Sequence, residues 1–412
     1  MDSRKCRFCD TPLETSFVDL GMQPPCQSVV REENLSSMEP FFPLHALVCQ
    51  NCYLVQLDEY VDPEDIFTEY AYFASYSDSW LEHCRQYVDM ISNKLNLDSN
   101  SFVLEIASND GYLLQYFKEK KIPMLGVEPA ANVAEVAIDN GIPTLVKFFN
   151  SKLARELVKE GKKADLVIGN NVLAQVPPIN DFVKGVKIVL NENGVATFEF
   201  PHLVRLIEDN QFDTIYHEHY SYFSFSTISK IFEKQNLILF DVEELPTHGG
   251  SLRIYAKHSE DETNKISNRV IDLIKREKEF GIMNIETYKE FEEKVKATKR
   301  KSLDLLIKIK NEGKTIVGYG AAGKGNTFLN YNGIRTDFLD YVVDRNTYKQ
   351  GIYLPGTHIP TYAPEKIKET KPDYVLILPW NLKKEITKQH KYIKEWGGKF
   401  LVMIPEPEII NP

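Results

Sequence analysis

The chain reads as an α/β protein in three parts: a small N-terminal four-cysteine zinc module, a middle Rossmann-like unit, and a second, smaller doubly wound unit at the C-terminus. Three observations predict this. Two Cys-x-x-Cys pairs, "CRFC" and "CQNC", fall within the first 52 residues. From Phe102 onward, apolar runs of strand length alternate with stretches of helical period. The alternation restarts at "TIVGYG", Thr315 to Gly320. A chain of 412 residues has room for two or three domains with a sizeable core.

The first part spans residues 1–66. Cys6 and Cys9 form one knuckle, Cys49 and Cys52 the other, with 39 residues between the pairs. Each knuckle presents two thiolates to one tetrahedral Zn²⁺, and two knuckles complete its coordination. With all four positions cysteine, no open ligand position remains, so the zinc is expected to be structural. So short a module draws much of its stability from the metal. Six cysteines are too few for a disulfide scaffold. The opening "MDSRKCRFCD" has no apolar signal region. Together these predict a reducing, cytoplasmic setting.

The second part, 67–300, opens on a helical stripe of Leu81, Cys84, Val88, Ile91 and Leu95, where Cys84 is expected in the core. "FVLEIASNDGYLLQYF" reads as strand, small polar turn and helix. "MLGVEPA", "ADLVIGNN" and "GVATFEF" read as further strands. "LILFDVEEL" and "SLRIYAK" follow without a helix between them. The expectation is a mostly parallel sheet with an antiparallel edge. Residues 261–310 are charged but keep apolar faces through Val270, Ile274, Phe291, Val295, Leu305 and Ile309. They are expected to form a packed helical connector. The third part, 301–412, carries "TIVGYG", "FLDYVVD", "DYVLILP" and "KFLVMIP" as strands separated by helical stretches.

Composition narrows the function. The formal charge of −10 argues against a general nucleic-acid or membrane-surface binder, which needs basic patches. No apolar run approaches the roughly 20 residues that span a bilayer.

The turn "EIASNDG", Glu105 to Gly111, lies where α/β proteins bind nucleosides. Ala107 and Ser108 are small enough for close approach, and Gly111 frees the helix start. Seventeen residues beyond Gly111, Glu128 ends the next strand, where a carboxylate accepts two ribose hydroxyls. The turn lacks a pyrophosphate-binding glycine pattern and carries Glu105 and Asp110. That suits a cationic sulfonium ligand, S-adenosylmethionine, better than a dinucleotide. A generic α/β turn is the bland alternative.

"IYHEHYSYF", Ile215 to Phe223, gathers two histidines and a glutamate. Histidines two apart on a strand share a face and can share a metal, but no third ligand is near in sequence. His217 is expected to pack or hydrogen-bond. "GAAGKGN", Gly320 to Asn326, has backbone N–H groups and Lys324 to cradle a diphosphate, without the ending of a P-loop. "THGGSLR" offers Ser251 and Arg253 as anion ligands, or is simply a tight turn into a strand.

Taken in order, "CRFC…DLGMQPPCQSV…CQNC", "YFASYSDSW", "LEIASNDG", "FDTIYHEHYSYFS", "THGGSLR" and "GYGAAGKGNTFLNY" resemble the sugar C-methyltransferase family over essentially the whole chain. That family methylates nucleotide-linked keto-deoxysugars with S-adenosylmethionine. The resemblance implies that His219 is the catalytic base, and that Glu218, Tyr216 and Tyr76 line the reaction centre. It implies that Lys324 and its neighbours help hold the sugar nucleotide. Two positions depart. Ala107 stands where glycine is usual, and Gln175 where a histidine near the substrate is common. Glutamine hydrogen-bonds but does not titrate.

The expected cofactor contacts are Tyr72, Glu105, Ala107, Ser108, Asn109, Gly111, Tyr112, Glu128, Pro129, Asn170 and Asn171. The expected substrate contacts are Tyr222, His248, Ser251, Arg253, Lys324, Gly325, Asn326 and Asp344. Carbon methylation needs an enolate, so a base of near-neutral pKa must take the proton beside a ketone. A tyrosine hydroxyl or the Gln175 amide would then face the enolate oxygen. The expected partner is a nucleotide-linked keto sugar, a dTDP-4-keto-6-deoxyhexose methylated at C3 or C5, with the protein a monomer. The rival readings are a non-catalytic nucleotide-sugar or adenosyl-ligand binding protein and a nicotinamide-dependent sugar dehydrogenase or epimerase. Ligand binding and turnover separate them.

Overall fold

A computed structural model describes residues 4–67, 70 and 72–412. The N-terminal sheet comprises Thr15–Gln23, Phe42–Val48 and Val55–Leu57, all antiparallel, and a fourth strand, Ser221–Tyr222, from the middle part. The second cysteine knuckle forms the hairpin between Phe42–Val48 and Val55–Leu57, closed by Cys49 N–H donating to Leu54 O at 3.0 Å. The N-terminal sheet thus takes one strand from beyond residue 66. It is completed by the segment that carries His219.

The middle sheet has seven strands in the spatial order Leu237–Leu245, Ser251–His258, Leu190–Pro201, Ala164–Asn170, Val103–Ile106, Met124–Val127 and Thr144–Leu145. The antiparallel strand is Ser251–His258, and it is not at the edge. It inserts between Leu190–Pro201 and Leu237–Leu245, pairing antiparallel with both. The reason is packing: its whole length but the final His258 is buried, which an edge position would not allow. The chain reverses its strand order between Val103–Ile106 and Ala164–Asn170. A crevice opens at such a switch point, beyond the carboxyl ends of the strands.

The C-terminal sheet repeats the plan. Its order is Thr361–Tyr362, Val342–Val343, Ile316–Tyr319, Tyr374–Ile377, Lys399–Val402 and Glu408–Ile410, the last antiparallel. Its switch point lies between Ile316–Tyr319 and Tyr374–Ile377. Gly320, at φ +94°, allows the close approach there, since a Cβ would meet Pro379 at 2.5 Å.

The connector is two helices, Asn268–Phe280 and Ile285–Asn311. The second runs straight through residue 300. Phe291 stacks on Phe17 at 4.5 Å between ring centres, and the helix joins the N-terminal sheet and the C-terminal unit in one apolar cluster. On the first helix the buried stripe is Val270, Leu273 and Glu277, and Ile274 is 40% exposed, a correction to its expected place in the core. Cys84 is fully buried on the helix Asp78–Leu95. Among the described residues no helix is long and apolar enough to cross a membrane.

Candidate active site

Four sulfurs converge at the N-terminus. The Sγ atoms of Cys6, Cys9, Cys49 and Cys52 lie within 4.8 Å of one another, with Cys6–Cys52 and Cys9–Cys49 both at 3.5 Å. A tetrahedron of Zn–S bonds about 2.3 Å long has edges of about 3.8 Å, so the donor set fits zinc and is too open for disulfides. Both knuckles close alike. Asp10 N–H donates to Cys6 O and Tyr53 N–H to Cys49 O, each at 2.9 Å, and Asp10 and Tyr53 both take positive φ. Gln56 Nε2 donates to Cys6 Sγ at 3.2 Å, steadying a thiolate ligand. Among the described residues this is the only cluster of metal-ligating groups. His217 takes no part in one: its Nε2 donates to Pro43 O at 3.3 Å and its ring packs on Phe42.

A cavity of about 340 Å³ opens at the switch point of the middle sheet. Its polar wall comes from Asn109, Glu128, Asn170 and Asn171, and Phe67, Phe149 and Phe182 supply apolar faces. Tyr72, Ala107, Tyr112, Pro129 and Gln175 also line it. Glu128 is held by two backbone donors, Asn109 N–H and Ala130 N–H, each at 2.9 Å. Burial raises its carboxyl to about 7. Glu105 is wholly buried behind the wall, and neither carboxylate oxygen has a hydrogen bond of normal geometry. Burial pushes it well above the usual range, offset in part by the Tyr112 hydroxyl.

Three expected cofactor contacts do not reach this cavity. Ser108 turns back onto Gly126, whose Cβ position lies 2.4 Å from its Oγ. Gly111, at φ +79°, packs against Ile142 and Ala137. Glu105 stands behind the lining residues. Asp110 also faces elsewhere, accepting from Ser75 N–H at 3.1 Å and Ser75 Oγ–H at 2.6 Å. Asn109 Oδ1 accepts Ala74 N–H at 2.9 Å, and its Nδ2 donates to Tyr72 O at 3.0 Å. These bonds fix the strap Tyr72–Tyr76 so that Tyr72 faces the cavity while Tyr76 is 43% exposed. Tyr76 is not among the residues that line the cavity, whereas Tyr70 lines it and donates its hydroxyl to Glu218 at 3.4 Å.

His219 lies on the loop between the turn Phe212–Thr214 and the strand Ser221–Tyr222. Its Nδ1 is 3.2 Å from Thr214 O. A carbonyl only accepts, so Nδ1 carries the proton and Nε2 carries the lone pair. Burial lowers the imidazole to about 3, with Lys324 and His248 adding to the effect. The ring is therefore neutral and able to accept, but so lowered it is a weaker base than the near-neutral group expected from the sequence. Tyr216 covers it at 4.1 Å between ring centres, and Tyr222 lies 6.3 Å away on another side. Glu218 points away from this imidazole. Its Oε1 accepts from Cys26 Sγ at 3.4 Å, and burial raises it to about 7.

The turn Thr247–Gly249 brings His248, at φ 53°, to 3.2 Å from Asn171 Nδ2 on the cavity wall. Burial lowers His248 to about 4. Ser251 and Arg253 are corrected. Ser251, 1% exposed, donates to Thr247 O at 3.0 Å. Arg253, 5% exposed, pairs with Glu199 at 2.8 Å and Glu243 at 3.1 Å, so its guanidinium is spent inside the sheet. Burial opposes the charge on Glu199, but His83 and Arg253 win and hold it below the usual range.

From the C-terminal unit, Lys324 Nζ lies 3.0 Å from Asn381 Oδ1 and 4.9 Å from the centre of the Trp380 ring. Asp344 accepts from Ala321 N–H at 2.7 Å and Asn346 N–H at 2.8 Å, the same two-donor arrangement that holds Glu128. Gly325 packs on Leu378. Asn326 is 3% exposed and donates to Cys26 O at 2.7 Å, which corrects its expected place on the substrate. Sequence reasoning missed Tyr70, Cys26, Asp213 and Trp380. Trp380 alone had a local signal, since it lies three residues beyond a strand's carboxyl end.

Comparison with known proteins agrees with this division of labour. Family models match as a zinc binding domain at residues 6–67, a methyltransferase domain at 78–241 and a C-methyltransferase C-terminal domain at 246–405. The C-methyltransferase NovU of Streptomyces niveus is 34% identical over 407 residues, 99% of this chain and 97% of its own. Among solved structures, the magnesium protoporphyrin IX methyltransferase of Synechocystis with bound S-adenosylmethionine covers 49% of this chain and 100% of its own, at 14% identity and TM-score 0.37. An S-adenosylmethionine-dependent methyltransferase from Clostridium acetobutylicum covers 43% and 92%, at 14% and 0.36. These two likenesses are slight, and the assignment rests on the family models and the full-length relative. The chain belongs to the C-methyltransferase family that carries an N-terminal zinc-binding domain.

Proposed function

We propose that this enzyme methylates a carbon beside the ketone of a nucleotide-linked keto-deoxysugar, a dTDP-4-keto-6-deoxyhexose methylated at C3 or C5. The observation that carries the reading is the tautomer of His219. An imidazole kept neutral by burial, with Nδ1–H committed to Thr214 O, presents Nε2 as a base.

The cavity at the middle switch point fits the cofactor. Glu128 accepts the ribose hydroxyls, its two backbone donors setting the direction of its free lone pairs. Asn170 and Asn171 flank it, and Tyr72 covers it. S-adenosylmethionine, when bound, supplies an electrophilic methyl group on a positively charged sulfur.

The chain's own residues do the rest. His219 Nε2 takes the proton beside the ketone. The C–H bond pair becomes the C=C of the enolate, and the carbonyl π pair moves to oxygen. Tyr216 shields the imidazole from water on one face. Asp344, held like Glu128, accepts a hydroxyl of the sugar nucleotide, and the loop Gly320–Gly323, at the second switch point, holds its diphosphate. Incubation of the enzyme with S-adenosylmethionine and a dTDP-linked 4-keto-6-deoxyhexose should give a product heavier by one methylene. No such product with dTDP-, GDP-, CDP- or UDP-linked keto sugars would contradict the proposal.

A further inference from the structure

The fully buried Asp213 has no place in the chemistry above, yet it stands one residue from Thr214, the acceptor that sets the His219 tautomer. Its Oδ2 accepts Trp380 Nε1–H at 2.8 Å, and its Oδ1 has no partner. The face of the same indole carries the Lys324 ammonium at 4.9 Å. One ring therefore meets the carboxylate at its edge and the ammonium on its face, both favourable for its quadrupole. Trp380 is fixed from a third side: a Cβ on Gly249, the residue after His248, would meet its ring at 2.4 Å.

Lys324 also stands next to the base. Tyr216, packed at a tilt on His219, lies 3.6 Å from the Cβ position of Gly323. The lysine's charge is felt at both His219 and His248. The groups facing Lys324 are thus Asp213, His219, His248, Asn381 and the Trp380 ring. Among these, Asp213 is the one acid; burial raises its carboxyl to about 7 against the pull of Lys324 and Trp380, so it is ionised at pH 8.

We propose that Lys324 is a catalytic residue that faces the enolate oxygen, and that Asp213 is a positioning residue that holds its ammonium through Trp380. The inference rests on the keto-sugar reading above. Proton transfer turns neutral imidazole and neutral ketone into imidazolium and enolate. A cation on the oxygen side stabilises that charge only as it forms, which is the differential stabilisation catalysis needs. The two donors expected from the sequence are less well placed. Gln175 lies in the cofactor cavity wall, and the tyrosine Tyr216 is packed on the base itself.

The test is hydrogen–deuterium exchange beside the ketone of a dTDP-linked 4-keto-6-deoxyhexose in D₂O, without methyl donor. Wild-type enzyme should exchange that hydrogen, and Lys324→Met should slow it about 100-fold or more. Calorimetric binding of S-adenosylhomocysteine should be unchanged in both, which confirms the fold. Burial lowers the Lys324 ammonium to about 8, with Asp213 opposing, so wild-type exchange should fall above about pH 8. Asp213→Asn removes the opposing charge, so this limb should move to lower pH. Lys324→Arg does not titrate in this range, so its exchange should persist above that limb. It decides the matter if Asp213→Asn fails to fold. Exchange by Lys324→Met within threefold of wild type, or an unmoved limb in both other variants, would overturn the inference and leave the reaction standing. No exchange by wild type would overturn the keto-sugar reading and the inference together.

Discussion

Gln56 pairs with Ser221 where the zinc module meets the active-site segment, and its side-chain amide donates to Cys6 Sγ at 3.2 Å. One residue thus touches a zinc ligand and holds the chain two residues past His219. Thr227 Oγ1 donates to Cys52 O at 3.0 Å on the far side of the same segment. A zinc ion held by the four cysteines would therefore brace the active-site segment as well as its own module.

Removing the metal should therefore silence an enzyme whose cofactor cavity is intact. Cys52→Ser should lower zinc content and reduce methyl transfer at least about tenfold, the scale of a lost metal-supporting contact. Elemental analysis beside single-turnover methyl transfer checks this. Full activity in zinc-free protein would sever the link through Gln56.

Ala107 adopts φ 59° at the cofactor turn, a left-handed conformation that costs a residue with a Cβ about 1–2 kcal/mol. Ala107→Gly should stabilise the middle unit by about 1 kcal/mol and raise its melting transition by about 2–4 °C. Differential scanning calorimetry reads the shift. An unchanged or lower transition would mean that the methyl group's packing outweighs the strain.

Glu128 links cofactor binding to protons. Ribose hydroxyls bind the carboxylate, whereas burial raises the group to about 7. Below that value the site must first lose a proton. Affinity for S-adenosylhomocysteine should therefore fall as pH drops through about 7, by up to about tenfold per unit. Glu128→Gln should bind weakly and without this slope. Calorimetry from pH 5.5 to 8.5 measures both, and a flat wild-type profile would remove Glu128 from the ribose.

Arg253 serves the sheet. Arg253→Ala takes the guanidinium from Glu199, 1% exposed, and leaves it His83 and Thr247 alone. The expected loss is about 3–5 kcal/mol of stability, with little change in the KM for the sugar nucleotide in whatever protein remains folded. A large rise in KM at unchanged stability would return Arg253 to the substrate.

The strand Val103–Ile106 and the turn after it were readable because a buried strand, a small-residue turn and a helix follow one another within one local window. The cysteine knuckles were readable for the same reason. The strand Ser221–Tyr222 was not, since two residues have no period, and its partners Val55 and Gln56 lie far away in sequence. Nor does alternation along Ser251–His258 say whether a strand enters a sheet at its edge or inside it. Arg253 looked available because Glu199 and Glu243 reach it only in the folded sheet. Tyr76 and Tyr70 could not be ranked from "YAYFASYS", because Asn109 and Asp110 decide which way that strap faces. Asp213 and Trp380, 167 residues apart, meet only through the assembly of two sheets.

The most direct measurement is methyl transfer by His219→Ala on a dTDP-linked 4-keto-6-deoxyhexose, followed by mass spectrometry beside calorimetric binding of S-adenosylhomocysteine. The imidazole with Nε2 free is assigned as the base, so transfer should fall by about 100- to 10,000-fold while cofactor affinity stays at the wild-type value. Turnover within tenfold of wild type, with the cofactor bound equally well, would contradict it.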